Sequence, residues 1–195
     1  SVAWGGARYV TEDAFGRRLG SIGPVNDDGV TFQRLHDLHC VDPLTGKTVW
    51  THKNVGLGND LFGDDELLFV APPNEDDTLV LRAATGEALG TRHVAPFDKR
   101  VATLGRRVLS WEVQGGSPTL LMRDAWLDQT LWSYTFVVGA KAALAGQEAV
   151  GVFQPNGEFS LITLADGKLL AKEQLDAENS PLGIFLSRYR DGYLL

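Results

Sequence analysis

The sequence repeats a short unit with the spacing Asp-x-x-Thr-Gly-x-x-x-Trp. The clearest copy lies in the segment 40–56, CVDPLTGKTVWTHKNVG. Its turn position recurs in four copies at intervals of 40, 42 and 39 residues, at Gly46, Gly86, Asp128 and Gly167. A fixed period of this size predicts stacked supersecondary units, and four short strands per unit predict the blades of a β-propeller.

The strands of each unit follow from local composition. In the second copy we expect strands at 59–62, 66–71, 78–82 and 87–92, because β-branched and aromatic residues fill these runs and Gly, Asn, Asp and Pro separate them. The alanine-rich segment 140–149 is predicted to be an inner strand. The third copy, MRDAWLDQTLW, keeps the aromatic residue at Trp132 and is expected to contain a one-residue insertion that includes Trp126.

The repeats divide the chain, taken as one domain over 1–195, into four blades and two partial ones. The blades are expected at approximately 23–54, 57–94, 98–136 and 139–175, with partial blades at 1–22 and 180–195. Two architectures remain open: a five-bladed ring closed by a composite of the two ends, or an arc of a seven- or eight-bladed propeller. An arc exposes blade faces, so self-association is expected if the propeller is incomplete.

Composition limits the classes of partner. The mean hydropathy is −0.09 and 44% of the residues are hydrophobic, without a long apolar run, so no membrane-spanning segment is expected. The formal net charge of −7 argues against nucleic-acid binding, which requires a basic face.

The 40–56 copy resembles the PQQ-like (pyrroloquinoline-quinone-type) β-propeller repeat, roughly Ala-x-Asp-x-x-Thr-Gly-Lys-x-x-Trp with a later glycine. Cys40 takes the alanine position, and Asp42, Thr45, Gly46, Lys47, Trp50 and Gly56 match the rest. The resemblance implies an all-β propeller of four-stranded antiparallel blades in a bacterial protein. It also implies the cell envelope or periplasm ahead of the cytoplasm.

The repeat residues are expected to have structural roles. Glycine adopts the positive φ of a tight turn without strain, aspartate and threonine hydrogen-bond turn amides, and the tryptophans are expected to lie between adjacent blades, as the resemblance implies. The residues in this set are Asp42, Thr45, Gly46, Trp50, Gly56, Thr85, Gly86, Trp132 and Gly167.

Motifs of known enzyme classes are missing from the sequence, including GxGxxG before a helix, the P-loop, HExxH and GxSxG. His36 and His39 form the only His/carboxylate cluster, but they would face opposite sides of a strand. Carboxylates at 27–28, 64–66 and 75–77 are expected to be solvated loop tips rather than calcium ligands. We therefore expect no catalytic, cofactor-binding or metal-binding residue.

Three classes of function remain open. The first is a non-catalytic scaffold or protein-interaction module, which binds a protein partner or other domains of a longer chain through loop rims such as 72–77 and 114–118. The second is a quinoprotein alcohol or sugar dehydrogenase with PQQ and calcium, as the resemblance implies. The third is a carbohydrate-binding propeller whose rim carries exposed Trp111 and Trp126.

Overall fold

Antiparallel sheets follow one another along the chain. The structure, a computed structural model, describes residues 10–12, 18–73, 75, 77–175, 183–190 and 192–195. Within this part of the chain the secondary structure is nineteen β-strands and one short 3-10 helix, Phe97–Lys99. The protein is therefore all-β, as the repeat pattern predicts.

Each of the four main sheets contains the four strands of one repeat, and the first sheet has one additional strand at its edge. The first sheet consists of β1 (Val10–Glu12), β2 (Arg18–Asn26), β3 (Gly29–Arg34), β4 (Asp37–Val41) and β5 (Thr48–His52). The second consists of β6 (Asp60–Gly63), β7 (Leu67–Ala71), β8 (Asp77–Arg82) and β9 (Ala88–His93). The third consists of β10 (Arg100–Leu104), β11 (Arg107–Gln114), β12 (Ser117–Asp124) and β13 (Gln129–Thr135). The fourth consists of β14 (Lys141–Ala145), β15 (Ala149–Phe153), β16 (Glu158–Thr163) and β17 (Leu169–Gln174).

The sheets pack face to face around an axis lined by their inner strands. The inner strands contact one another in sequence order, from β2 through β6, β10 and β14 to the terminal strand β18 (Ser187–Tyr189). Separate hydrophobic clusters fill the spaces between successive sheets. This arrangement is a β-propeller of four-stranded antiparallel blades, here numbered 1 to 4.

The turn between the last two strands has the same register in all four blades. A register shift occurs one residue after the pair Cys40↔Trp50 in blade 1 and one residue after Met122↔Trp132 in blade 3. The segment from Asp124 to Trp132 is therefore as long as the segment from Asp42 to Trp50. The expectation of a one-residue insertion in the third copy is therefore wrong.

The turn position keeps its conformation even where glycine is replaced. Gly46, Gly86 and Gly167 have φ values of +67°, +69° and +73°, and Asp128 has a φ of +53°. Aspartate tolerates the left-handed region better than most residues with a Cβ atom. Asp128 therefore forms the same turn without the glycine of the motif.

The first strand of blade 1 crosses the expected start of that blade. Residues 18–21 of β2 pair with β1 and residues 22–26 pair with β3, with a register shift inside this second ladder between Ile22 and Val25. Pro24 has no N–H to donate and fits such an irregular position. The expected boundary between residues 22 and 23 therefore falls inside a continuous strand, at this register shift.

The C-terminal residues form a separate two-stranded ladder of β18 and β19 (Gly192–Leu194). Leu186 and Ile184 pack on the free face of blade 4. Between the described strands, no ladder joins this pair to β1 or β2, and these open sheets are consistent with an arc. The expected inner strand at 140–149 is shorter, because β14 ends at Ala145 and a turn follows at Gly146.

Candidate interaction face

Trp50 lies between blades 1 and 2. It is 8% exposed, and its indole Nε1–H donates a 2.8 Å hydrogen bond to the carbonyl oxygen of Ala83 in blade 2. The ring covers the turn glycine Gly86, where a Cβ atom would lie 2.6 Å from two ring carbons. The tryptophan of one repeat therefore contacts the glycine of the next.

Trp132 repeats this contact between blades 3 and 4. Its Nε1–H donates to the carbonyl oxygen of Leu164 at 3.2 Å, and a Cβ atom at Gly167 would lie 2.5 Å from the indole. Trp132 is also 8% exposed. The same pair of positions thus meets at two of the three interfaces between complete blades.

At the interface between blades 2 and 3, the aromatic residue belongs to the following blade, blade 3, instead of the preceding one. Blade 2 has Gly90 at the tryptophan position, and Trp126 on the turn of blade 3 packs against the apolar cluster between the two blades. The guanidinium of Arg92 lies 4.0 Å from the centre of the Trp126 ring, and its Nε donates to the Trp126 carbonyl at 3.0 Å. Trp126 is half-buried, so the expectation that it is exposed is wrong.

Trp111 is also half-buried rather than exposed. Its ring meets that of Phe136 edge to face, with 5.9 Å between centroids, and it packs on the core between blades 3 and 4. It lies on β11, away from the turn that carries Trp126. The structure therefore does not bring the two tryptophans together on one rim.

The polar motif residues hold the turns. The Asp42 carboxylate accepts from the Leu44 N–H and from the Thr45 hydroxyl, each at 2.8 Å, and these bonds keep the pKa of Asp42 below its usual value. Thr85 is placed similarly in blade 2, where its Oγ1 accepts from the Glu87 N–H at 3.4 Å. The carbonyl of Gly56 accepts from Asn59 at 2.7 Å and from Gln33, which ties the loop after blade 1 to β3.

The histidines and the cysteine have separate surroundings. His36 lies in an exposed turn with Nδ1 3.0 Å from the Val55 carbonyl, whereas His39 stacks on Phe32 with 5.3 Å between ring centroids. Cys40 is buried between blades 1 and 2, and burial raises the pKa of its thiol. Among the described residues, no three His, Cys, Asp or Glu side chains converge as metal ligands would.

Two of the carboxylates at 64–66, those of Asp64 and Glu66, connect blade 2 to blade 3. Arg106 of blade 3 pairs with Asp64, and its Nη2 lies 2.7 Å from Glu66 Oε2. Burial raises the pKa of Asp64, but hydrogen bonds from Arg106 and from two turn amides outweigh it and hold the pKa below its usual value. Of the other acidic clusters, Asp76 lies outside the described residues.

Loops at one end of the strands carry exposed apolar side chains. We call this end the upper face: it contains the loops between the second and third strands of each blade and those leading to the next blade. Its exposed apolar residues include Leu35, Leu57, Phe97, Val113, Val137 and Val138. Val113 and Val138 are each 77% exposed. Leu44 and Leu127 are exposed at the opposite, lower face.

A cleft of about 560 Å³ opens on the upper face over blade 2. Its wall contains Phe97, two prolines, two aspartates and a lysine, which are Pro73, Pro96, Asp60, Asp98 and Lys99. Asp60 is fixed by Arg100, 2.8 Å away, whose guanidinium also lies 5.5 Å from the centre of the Phe97 ring. We call this the upper cleft. It combines an apolar wall with a fixed charged pair below it.

Among the comparisons with known proteins, only the comparison with solved structures finds similar proteins. No protein-family model and no curated protein matches the sequence. The chain is similar to BamB from Moraxella catarrhalis, with 14% identity over 94% of this chain and 53% of that one and a TM-score of 0.46. It is also similar to Kluyveromyces lactis Hsv2, with 12% identity over 81% of this chain and 54% of that one and a TM-score of 0.48.

A computationally designed protein, Ika8, is similar to the same degree, with 14% identity over 91% of this chain, 57% of that chain and a TM-score of 0.47. The chain spans about half the length of these structures. In the part of the chain that the structure describes, no helix is long and apolar enough to cross a membrane.

Proposed function

We propose that this chain is a non-catalytic scaffold or protein-interaction module, part of a longer bacterial protein that acts in the cell envelope or periplasm. The observation that carries the proposal is the set of exposed apolar residues on the upper face, which occurs at successive blades around the arc. Exposed apolar residues gathered on one face are typical of protein-binding surfaces.

The partner is a protein, or another domain of the same longer chain. Its contact segment presents an apolar side chain to the upper cleft beside Phe97, because the wall there is aromatic and proline-lined. A basic group next to that side chain suits the carboxylate of Asp98. No cofactor is required for this role.

The repeat residues serve blade docking in this proposal. Trp50 and Trp132 are each covered by a neighbouring blade and donate their only N–H to a backbone carbonyl, which leaves no polar group of the indole for a ligand. The resemblance to the PQQ-like repeat therefore supports a shared way of stacking blades, and the proposal takes no catalytic chemistry from it.

Site-specific photocrosslinking in the intact protein tests the proposal. A benzophenone amino acid is placed at position 57 or 97 on the upper face, and at position 44 on the lower face as the matched exposed control. We expect the same crosslinked protein from positions 57 and 97, its loss on Phe97→Asp when the crosslinker is at 57, and no such product from position 44. Equal crosslinking from position 44, or none from the upper face, would contradict the proposal.

A second measurement separates the interaction module from a quinoprotein. The purified chain is titrated with pyrroloquinoline quinone and calcium while tryptophan fluorescence is followed. The proposal predicts no saturable change. Saturable binding that turns over an alcohol or sugar with a dye acceptor would overturn the non-catalytic role.

A further inference from the structure

A second cleft lies between blades 3 and 4, away from the upper cleft. It has a volume of about 360 Å³, within the roughly 300–1,000 Å³ range of small-molecule sites. Tyr134 and Phe136 line one side, and Gln154, Glu158, Ser160 and Lys172 line the other. We call it the inter-blade cleft.

The inter-blade cleft exists because a serine takes a leucine position of the repeat. Ser160 on the third strand of blade 4 pairs with the residue directly after the tryptophan position of its blade. The same register places Leu79 in blade 2 and Leu121 in blade 3. Serine has fewer side-chain atoms than leucine, so a space remains where blades 2 and 3 have leucine and blade 1 has His39.

One wall of the inter-blade cleft is aromatic and fixed in position. The Tyr134 hydroxyl donates to the Gly167 carbonyl at 2.8 Å, which anchors its ring across the blade interface. The rings of Tyr134 and Phe136 are tilted by 33° with 6.4 Å between centroids. Phe136 is buried against Trp111, so this wall has little freedom to move.

The opposite wall has preformed polar groups without net charge beside the apolar Leu169. Gln154 is 5% exposed; its Oε1 accepts from the Val137 N–H at 3.1 Å and its Nε2 donates to Glu158 Oε1 at 2.6 Å. The other carboxylate oxygen of Glu158 lies 3.0 Å from Lys172 Nζ. The carboxylate and the ammonium group neutralise each other, so the wall offers hydrogen-bonding groups to a neutral ligand.

We propose that the inter-blade cleft binds one ring of a neutral saccharide. The carbon face of a sugar ring packs on aromatic side chains, and its hydroxyl groups both donate and accept. The carboxylate of Glu158 accepts from them, the Lys172 ammonium donates to them, and the Ser160 hydroxyl does both. The inter-blade cleft reaches the upper face at Phe136, Val137 and Gln154, but it shares no residue with the upper cleft over blade 2, so the inference does not depend on the protein-interaction role.

The test is saturation-transfer difference NMR and calorimetry on the full chain with defined sugars. The neutral probes are glucose, galactose, mannose, N-acetylglucosamine, cellobiose and chitobiose, and glucuronate is the charged comparison. Ser160→Leu fills the cleft with the residue that blades 2 and 3 already have at this position. Ser133→Leu makes the same change on an exposed position of the neighbouring strand β13, outside the lining of the cleft.

We expect at least one neutral sugar to bind saturably, with affinity reduced about tenfold or more by Ser160→Leu and unchanged by Ser133→Leu. The inference is overturned if no neutral sugar binds, if only glucuronate binds, or if Ser160→Leu leaves the affinity intact. If circular dichroism shows that Ser160→Leu does not fold, sugar binding is measured with Glu158→Gln instead. Weakened binding then supports the site, and unchanged binding overturns it.

Discussion

The indole of Trp50 lies so close to Gly86 of the next blade that a Cβ atom there would be 2.6 Å from the ring. The same relationship joins Trp132 to Gly167. The turn glycine therefore has two roles: it adopts a positive φ within its own blade, and it leaves room for the tryptophan of the preceding one. The motif residues lie within one repeat, but the contact between the tryptophan and the turn glycine joins two neighbouring blades.

We predict that Trp50→Ala lowers the free energy of unfolding by about 3–5 kcal/mol, because a large buried ring is removed from the interface between blades. The melting temperature should fall by several degrees. Trp50→Phe keeps most of the ring but leaves the Ala83 carbonyl without its donor, so we expect a smaller loss, about 1–3 kcal/mol. Chemical denaturation measures both. An unchanged melting temperature for Trp50→Ala would show that Trp50 does not dock the blades.

Arg92 and Trp126 should be energetically coupled across blades 2 and 3. A double-mutant cycle with Arg92→Met and Trp126→Leu isolates the ring contact, because the hydrogen bond to the backbone carbonyl of residue 126 remains available in Trp126→Leu. We expect a coupling energy of about 0.5–1 kcal/mol from denaturation curves. Arg82→Met with Trp126→Leu is the control pair and should be additive, since Arg82 pairs with Glu87 instead. Additivity of the first pair would contradict the contact.

The Asp64–Arg106 pair predicts a pH dependence of stability. The pKa of Asp64 is lowered in the folded protein, so its contribution is present above its usual value of 3.8 and is lost as the pH falls through the lower folded value. Asp64→Asn should therefore be less stable than the unmodified chain at pH 7, and the difference should shrink as the pH falls below 3.8. Asp65→Asn, an equal change of charge at the exposed neighbour, is the control. A difference that is independent of pH would contradict this account.

The sequence predicted the fold because each turn is locally encoded. Gly46, Gly86 and Gly167 mark their turns by residue type, and Asp128 marks its turn by spacing from Trp132. The strands of the second copy begin and end within one residue of the expected positions. The continuation of β2 across the expected blade boundary was not predicted, because the Gly23-Pro24 dipeptide inside it is typical of a break between strands.

The features that distinguish one blade interface from another were harder to predict. The role of Trp126 depends on Gly90 and Arg92, which lie more than thirty residues earlier in the chain. Ser160 could have been recognised by aligning the third strands, since Leu79 and Leu121 have the same distance from their turns. To predict the upper face, one must know which loops lie at the same end of neighbouring blades. That is known only after the strands have been assigned to blades.

The central claim, that the repeat docks blades through tryptophan on glycine, is tested most directly by a double-mutant cycle. Gly86→Ala and Gly46→Ala introduce the same methyl group at nearly equal φ, but a Cβ atom at Gly46 has no neighbour within 4 Å. We predict that Gly86→Ala is more destabilising than Gly46→Ala by about 1–3 kcal/mol, and that this excess disappears in the Trp50→Ala background. Equal effects of the two glycine substitutions, or an excess that persists without Trp50, would contradict the claim.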